Sequence, residues 1–256
     1  MIKMYNKRKN GISMEEQQLK ELFDEWKIRI LKEDSKAIFN YDGFIDFNLY
    51  KQSDIKILFV LKESYSKEIL SNKDDFSITR LLYETIQEAK IDFGSETQSS
   101  QMFNMLGFWA YGLLHKENDF QKTIEVLKNL KQKYLPSCAY MNASKKVLIG
   151  QSFSDSKKVK AEFEKFQEFN KKEIEIINPN IIICGGVEGD YGLADEISKI
   201  FDPYNETKWL DGGANGIKKI KINNKNVWLV SANHPAVVKD MQSKYQQVMD
   251  LLKYLN

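Results

Sequence analysis

Residues 227–238 read VWLVSANHPAVV, and this stretch decides the fold. An apolar run, Val227-Trp228-Leu229-Val230, gives way to small residues and then delivers His234-Pro235. A continuous apolar run marks a strand buried on both faces, and such strands belong to parallel sheets covered by helices. Proline fixes the backbone directly after the histidine. A buried strand that ends by presenting an imidazole is how parallel α/β proteins build sites, because ligands bind outside the carboxyl ends of their strands. His234 is one of only two histidines in 256 residues. Taken alone, it reads more readily as a strand cap bonded to backbone than as a catalytic group.

Three more runs of this kind precede it. Residues 55–61, IKILFVL, stop at Lys62-Glu63-Ser64-Tyr65. Residues 136–142, PSCAYMN, lead into Asn142-Ala143-Ser144-Lys145-Lys146. Ile181-Ile182-Ile183-Cys184 follows the helix stop Asn178-Pro179 and ends at Gly185-Gly186. Helical periodicity fills the intervals. Leu19, Leu22, Phe23, Trp26 and Ile30 mark a helix over 14–33, and Asp74, Asp75 and Ser77 are candidate caps for a helix reaching about Lys90. Met102, Met105, Leu106, Trp109 and Leu113 mark another, and Phe120, Ile124, Leu127 and Tyr134 one more. Val159, Phe163, Phe166, Ile174 and Ile177 line one long helix, with further helices over 193–201 and 240–255. Apolar strands separated by helices predict a three-layer α/β/α domain over 14–256, with a central four-stranded parallel sheet. The basic residues 1–13 are expected to be a disordered start, and no apolar segment follows them to make a secretory signal.

Composition narrows the function classes. With 42% hydrophobic and 29% charged residues the chain reads as an ordinary globular protein, and no run approaches the roughly 18 apolar residues of a membrane span. The net charge of +2 rules out a general polyanion sponge but leaves room for local phosphate contacts. Two cysteines, Cys138 and Cys184, outside any CxxC pair, fit a reducing cytoplasm and cannot furnish a four-cysteine zinc or iron–sulfur site. No GxSxG elbow, P-loop or GxGxxG is present, which argues against a small-molecule hydrolase or nucleotide-binding α/β enzyme.

Taken in order, LFVLKESY at 58–65, AYMNASK at 139–145, NPNIIICGG at 178–186 and SANHPA at 231–236 resemble the motif series of the uracil-DNA glycosylase superfamily. AYMNASK is similar to the tyrosine, x, asparagine, x, x, lysine pattern of its thermostable bacterial branch. The departures are specific. Lys62-Glu63-Ser64 stands where a glycine and proline are usual, Ala236 where serine is common, and the iron–sulfur cysteines of the thermostable branch are absent. Glu63 corresponds either to the water-activating aspartate or to the glutamate of other branches.

The resemblance implies a monofunctional DNA glycosylase that flips a uracil-like or modified pyrimidine nucleotide from DNA into the site. Glu63 would activate water as general base, and His234 would donate a hydrogen bond to the departing base. Asn142 would read the base edge, although a strand-end turn former is an equal reading of it. Tyr65 and Phe76 would supply an aromatic wall, Phe76 fitting core packing equally well. Ser64, Ser231, Lys145, Lys146 and Lys239 are candidates for substrate or phosphate contacts, as are the lysines at 218, 219 and 221. DNA is the expected partner, and no cofactor, metal, iron–sulfur cluster or membrane is. The superfamily also resembles, in one bacterial branch, a phage-defence activity against DNA with heavily modified cytosine. A non-catalytic nucleic-acid or nucleotide-binding module on the same fold is the alternative.

Overall fold

The computed structural model describes residues 11–66, 76–87, 98–126, 133–150, 155–186, 192–210, 216–236 and 240–255. Residues 1–10, with most of the basic N-terminal segment, lie outside this set, as do Asp74, Asp75, Leu127 and Lys239.

Helix α1 (Met14–Glu33) opens with a capping box: the Glu16 N–H donates to Ser13 Oγ at 3.1 Å, and the Ser13 N–H donates to Glu16 Oε2 at 3.2 Å. Its apolar stripe, Leu19 to Ile30, is buried as the spacing predicts. After α1 come strand β1 (Gly43–Phe44), helix α2 (Phe47–Gln52) and strand β2 (Ile57–Leu61). Helices α3 (Ile78–Gln87), α4 (Gln98–His115) and α5 (Phe120–Glu125) lead to strand β3 (Ala139–Asn142). At the start of α3, Ser77 Oγ accepts the Arg80 N–H at 3.2 Å.

The expected long helix is two helices, α6 (Ser156–Lys165) and α7 (Gln167–Ile177). Phe166 leaves helical geometry at φ −107° and ψ 27°. Its buried ring packs against Trp26 and Phe169. Asn170 Nδ2 donates to the carbonyls of Phe163 and Phe166, so the backbone groups freed by the break are satisfied. Asn178, at φ 50°, ends α7 in the left-handed conformation before strand β4 (Ile181–Gly185). Helix α8 (Gly192–Phe201), strands β5 (Ile217–Ile222) and β6 (Lys225–Ala232) and helix α9 (Met241–Met249) complete the order.

The central sheet has six strands in the order β1-β3-β2-β4-β6-β5. The inner four are parallel, as expected. The sheet as a whole is mixed rather than four-stranded and parallel, because β1 runs antiparallel to β3 and β5 antiparallel to β6. The chain reaches β6 through a two-residue hairpin at Asn223-Asn224, both with positive φ (49° and 62°), where asparagine replaces the more usual glycine. The edge strand β5, IKKIKI, buries Lys218, Ile220 and Ile222 on one face and exposes Lys219 and Lys221 on the other.

Both faces of the sheet are covered. Leu58, Val60, Ala139, Met141, Ile182, Cys184 and Leu229 pack with the buried residues of α1, α6, α7 and α8. Ile57, Phe59, Leu61, Tyr140, Ile183 and Val230 pack with those of α3, α4 and α9, and Cys138 lies on this second side. This period-two partition fixes which strand-end side chains share a side of the sheet.

Candidate functional site

The first parallel strand, β2, pairs with β3 on one side and β4 on the other, so the chain reverses direction across the sheet between β2 and β4. Such a switch point opens a crevice outside the carboxyl ends. On one side the loops after β2 and β3 run together: the Ala143 and Ser144 N–H groups donate to the carbonyls of Leu61 and Lys62, and the Leu148 N–H donates to that of Ser64. On the other, the Gly186 N–H donates to the Ala232 carbonyl, joining the loops after β4 and β6. Glu63 stands at the switch, two residues past β2, partly buried and with Oε2 sealed from solvent. A β-carbon on Gly186, which sits at φ 65°, would come within 2.8 Å of the His234 β-carbon, and one on Gly185 within 2.9 Å of Pro235 Cδ. The two glycines therefore let the His234-Pro235 segment close onto β4.

His234 is the decisive group electrically. Burial, then the charges of Lys62 and Lys244, push its pKa down to about 4, so the ring is neutral at physiological pH. Its Nδ1 accepts the Ala236 backbone N–H at 3.2 Å. A backbone N–H only donates, so Nδ1 carries no proton and Nε2 does. The ring is a fixed neutral hydrogen-bond donor through Nε2. Lys62, whose Nζ bonds Ser156 Oγ at 3.1 Å, and Lys244, buried on α9, hold positive charge around it.

The chain is similar to no family model and to no curated protein. The site therefore rests on its own geometry.

Asn142, at the end of β3, is fully buried. Its backbone N–H donates to Asp42 Oδ2 at 2.6 Å, and its Oδ1 accepts from Ser64 Oγ at 2.9 Å and from Asn40 Nδ2 at 3.0 Å. Beneath it lies a buried ionic cluster. Lys145 Nζ donates to both Asp42 oxygens at 2.7 Å and comes within 2.7 Å of Glu173 Oε2 without hydrogen-bond alignment. All three side chains are 0% exposed. The cation also faces the rings of Trp26 and Phe23 at 5.1 and 5.4 Å. Burial, then the negative charge of Asp42, push the Glu173 carboxyl well above the usual range. Asp42 gathers the donors, and the upward shift of Glu173 favours its protonated form.

A testable linkage follows from that proton. An unfolded glutamate ionises near 4.5, whereas folded Glu173 keeps its proton, so rising pH draws protons from the unfolded state alone. This group lowers stability by about 1.4 kcal/mol per pH unit above 4.5, until the folded carboxyl titrates. Glu173→Gln, which preserves the shape and a donor, is expected to remove that slope in denaturant melts run from pH 5 to pH 8. An unchanged slope would mean that Glu173 is ionised in the fold.

Four expected contacts are corrected by burial. Lys145 cannot meet a DNA phosphate, because its ammonium is enclosed and paired within the cluster. Ser64 is 5% exposed and spends its hydroxyl on Asn142 rather than on a ligand's phosphate. Ser231 is 6% exposed inside β6, opposite Cys184. Lys239 lies outside the described residues. Lys218 is likewise buried, paired with Asp202 at 2.9 Å and bonded to Ser198 and Asn205. Lys146 pairs with Glu162, and Lys219 lies over Trp228. Tyr65 is exposed at the rim in a two-residue ladder with Leu148, whereas Phe76 packs partly buried against the core.

Sequence reasoning missed Asn40, Asp42 and Glu173. A carboxylate meant for a buried lysine carries no local mark. The one signal was Glu173 itself, an acidic residue one position before Ile174 in the apolar stripe of α7. Among the described residues, no group of three or more histidine, cysteine or acidic side chains is gathered to hold a metal, and no helix is long and apolar enough to cross a membrane. A surface groove lined by Phe44, Phe47, Tyr50 and Lys56 opens at the opposite, amino end of the parallel strands.

Proposed function

We propose that this chain is a monofunctional DNA glycosylase related to the uracil-DNA glycosylase superfamily, hydrolysing the N-glycosidic bond of a flipped uracil-like or modified pyrimidine base. The observation that carries this reading is the neutral, oriented Nε2–H of His234, packed onto Gly186 at the end of β4, the strand beside the one that Glu63 follows. Glycosidic cleavage needs two things at once: an activated water at the sugar C1′ and a stabiliser for the negative charge that collects on the departing base. Glu63 takes a proton from the water as its oxygen bonds to C1′, and the C1′–N bond breaks with its electron pair passing to the base. His234 donates its Nε2–H to an oxygen of that base. A neutral imidazole fits this role because it stabilises the anion without first giving up a bound proton. Lys62 and Lys244 add a favourable field around the developing anion.

The test is direct. Purified protein is incubated with oligonucleotides carrying a single uracil, and separately with DNA bearing modified cytosines of the kind that phages use. Alkali-labile abasic sites and release of free base are then measured. An abasic product on at least one substrate is the expected result. Binding without product on every substrate would overturn it in favour of a non-catalytic nucleic-acid module on this fold.

A further inference from the structure

Asn40 is a buried residue outside all four strand-end motifs, yet it governs what Asn142 can offer a ligand. It stands in a two-residue parallel ladder, Asn40–Tyr41 with Phe76–Ser77, which brings the start of α3 against it. There the Ile78 backbone N–H donates to Asn40 Oδ1 at 3.1 Å. A backbone N–H cannot accept, so this bond fixes which end of the Asn40 carboxamide is oxygen. The other end, Nδ2, must then face Asn142, to which it donates at 3.0 Å, and it also lies 3.4 Å from Asp42 Oδ2. Ser64 Oγ fills the second lone pair of Asn142 Oδ1 at 2.9 Å. The opposite orientation of Asn142 would set two amide NH2 groups against each other. Its Oδ1 is therefore fully used, while its Nδ2 is buried. The neighbouring Tyr140 hydroxyl draws one of its two N–H groups, which holds the phenol down against the rise from burial, and the other N–H is left for a ligand.

We propose that Asn40 is a specificity-determining residue of this site: with Ser64 it occupies the Asn142 carbonyl, so that Asn142 meets a ligand as a hydrogen-bond donor only. The base that binds turns an acceptor, a bare ring nitrogen or a carbonyl oxygen, toward Asn142. A base turning an N–H there leaves two buried donors opposed, which costs it roughly tenfold or more. This rests on the glycosylase reading for the identity of the ligand as a base. The polarity of the Asn142 amide is independent of that reading.

Asn40→Asp supplies the experiment. Combined with Asp42→Asn, which removes the carboxylate 3.4 Å away that would keep it protonated, aspartate keeps an acceptor for the Ile78 N–H but offers a second oxygen to Asn142, whose amide then turns its NH2 inward and its carbonyl toward the ligand. Excision is compared on oligonucleotides carrying 5-hydroxymethylcytosine or 5-hydroxymethyluracil. The two bases share their C5 substituent but carry opposite donor and acceptor patterns at N3 and at position 4. Whichever of these faces Asn142, inverting the amide reverses the ranking of the two bases. The expected result is a change of at least about tenfold in the ratio of kcat/KM values. Asn40→Ala, which removes the latch without adding charge, is expected to bring the ratio toward one if the double variant fails to fold. The same change is read without any ligand from the side-chain amide resonances of Asn142, which shift downfield in the double variant as the NH2 gains a charged acceptor. Unchanged resonances in the folded variant, or an unchanged ranking of the bases, would overturn the proposal. If the native protein excises neither base and no other, the glycosylase reading fails while the resonances still decide the latch.

Discussion

Glu63→Gln is expected to slow base excision by about 10²–10⁴-fold while leaving DNA binding within a factor of a few, because a carboxamide fills the same space but takes no proton from water. Single-turnover excision separates the chemical step from release, and a loss confined to KM would assign Glu63 to binding instead. His234→Gln is expected to cost about 10²–10³-fold, the usual loss on removing one oriented donor from a developing anion. His234 also leaves a signature that does not depend on activity. Unfolded histidine takes a proton near 6.5, and folded His234 resists one down to about 4. The unfolded state alone gains protons as pH falls between those values. Stability contributed by this group is therefore complete above 6.5 and lost toward 4, by up to roughly 3 kcal/mol. His234→Gln should flatten the acid limb of a stability profile over that window. A profile as steep as that of the native protein would mean that the imidazole is solvated and ordinary.

Lys145→Met should be the most destabilising of the single substitutions considered. It strands the buried Asp42 carboxylate beside Glu173 with no cation, a change that costs about 3–5 kcal/mol and lowers Tm by roughly 6–20 °C. The double variant Lys145→Met with Asp42→Asn removes the stranded charge and should recover part of the loss. A solvent-facing lysine that served a DNA phosphate would behave differently: Tm would hold, and the salt dependence of DNA binding would fall by about one unit of slope. Thermal melts and a salt titration on the same variant distinguish the two outcomes.

The fold was legible in the strands. Near-continuous apolar runs at 57–61 and 181–185 could belong only to doubly covered strands, and the stripe of α1 named its own buried face. The edges were not legible. β1 is two residues long, and β5 interleaves three lysines with three isoleucines, a pattern that reads as a basic patch until its hairpin partner is known. The Asn-Asn turn was the available cue. At the site, the end of a strand announces a polar group but not its direction. Lys145, three residues past a strand that ends in Asn142, turns beneath the sheet to meet Asp42 and Glu173. Its partners come from before β1 and from α7, and pairings across such separations leave no periodicity to read.

The two cysteines sit on opposite sides of the sheet, Cys184 in the half of the core under α1 and α8, Cys138 in the half under α4 and α9. Burial suppresses both thiols, pushing Cys138 up to about 12 and Cys184 higher still. Each layer thus carries its own chemical clock. A thiol reagent can reach Cys184 only when one layer lifts from the sheet and Cys138 only when the other does, so paired labelling rates report whether the two layers separate together or one at a time.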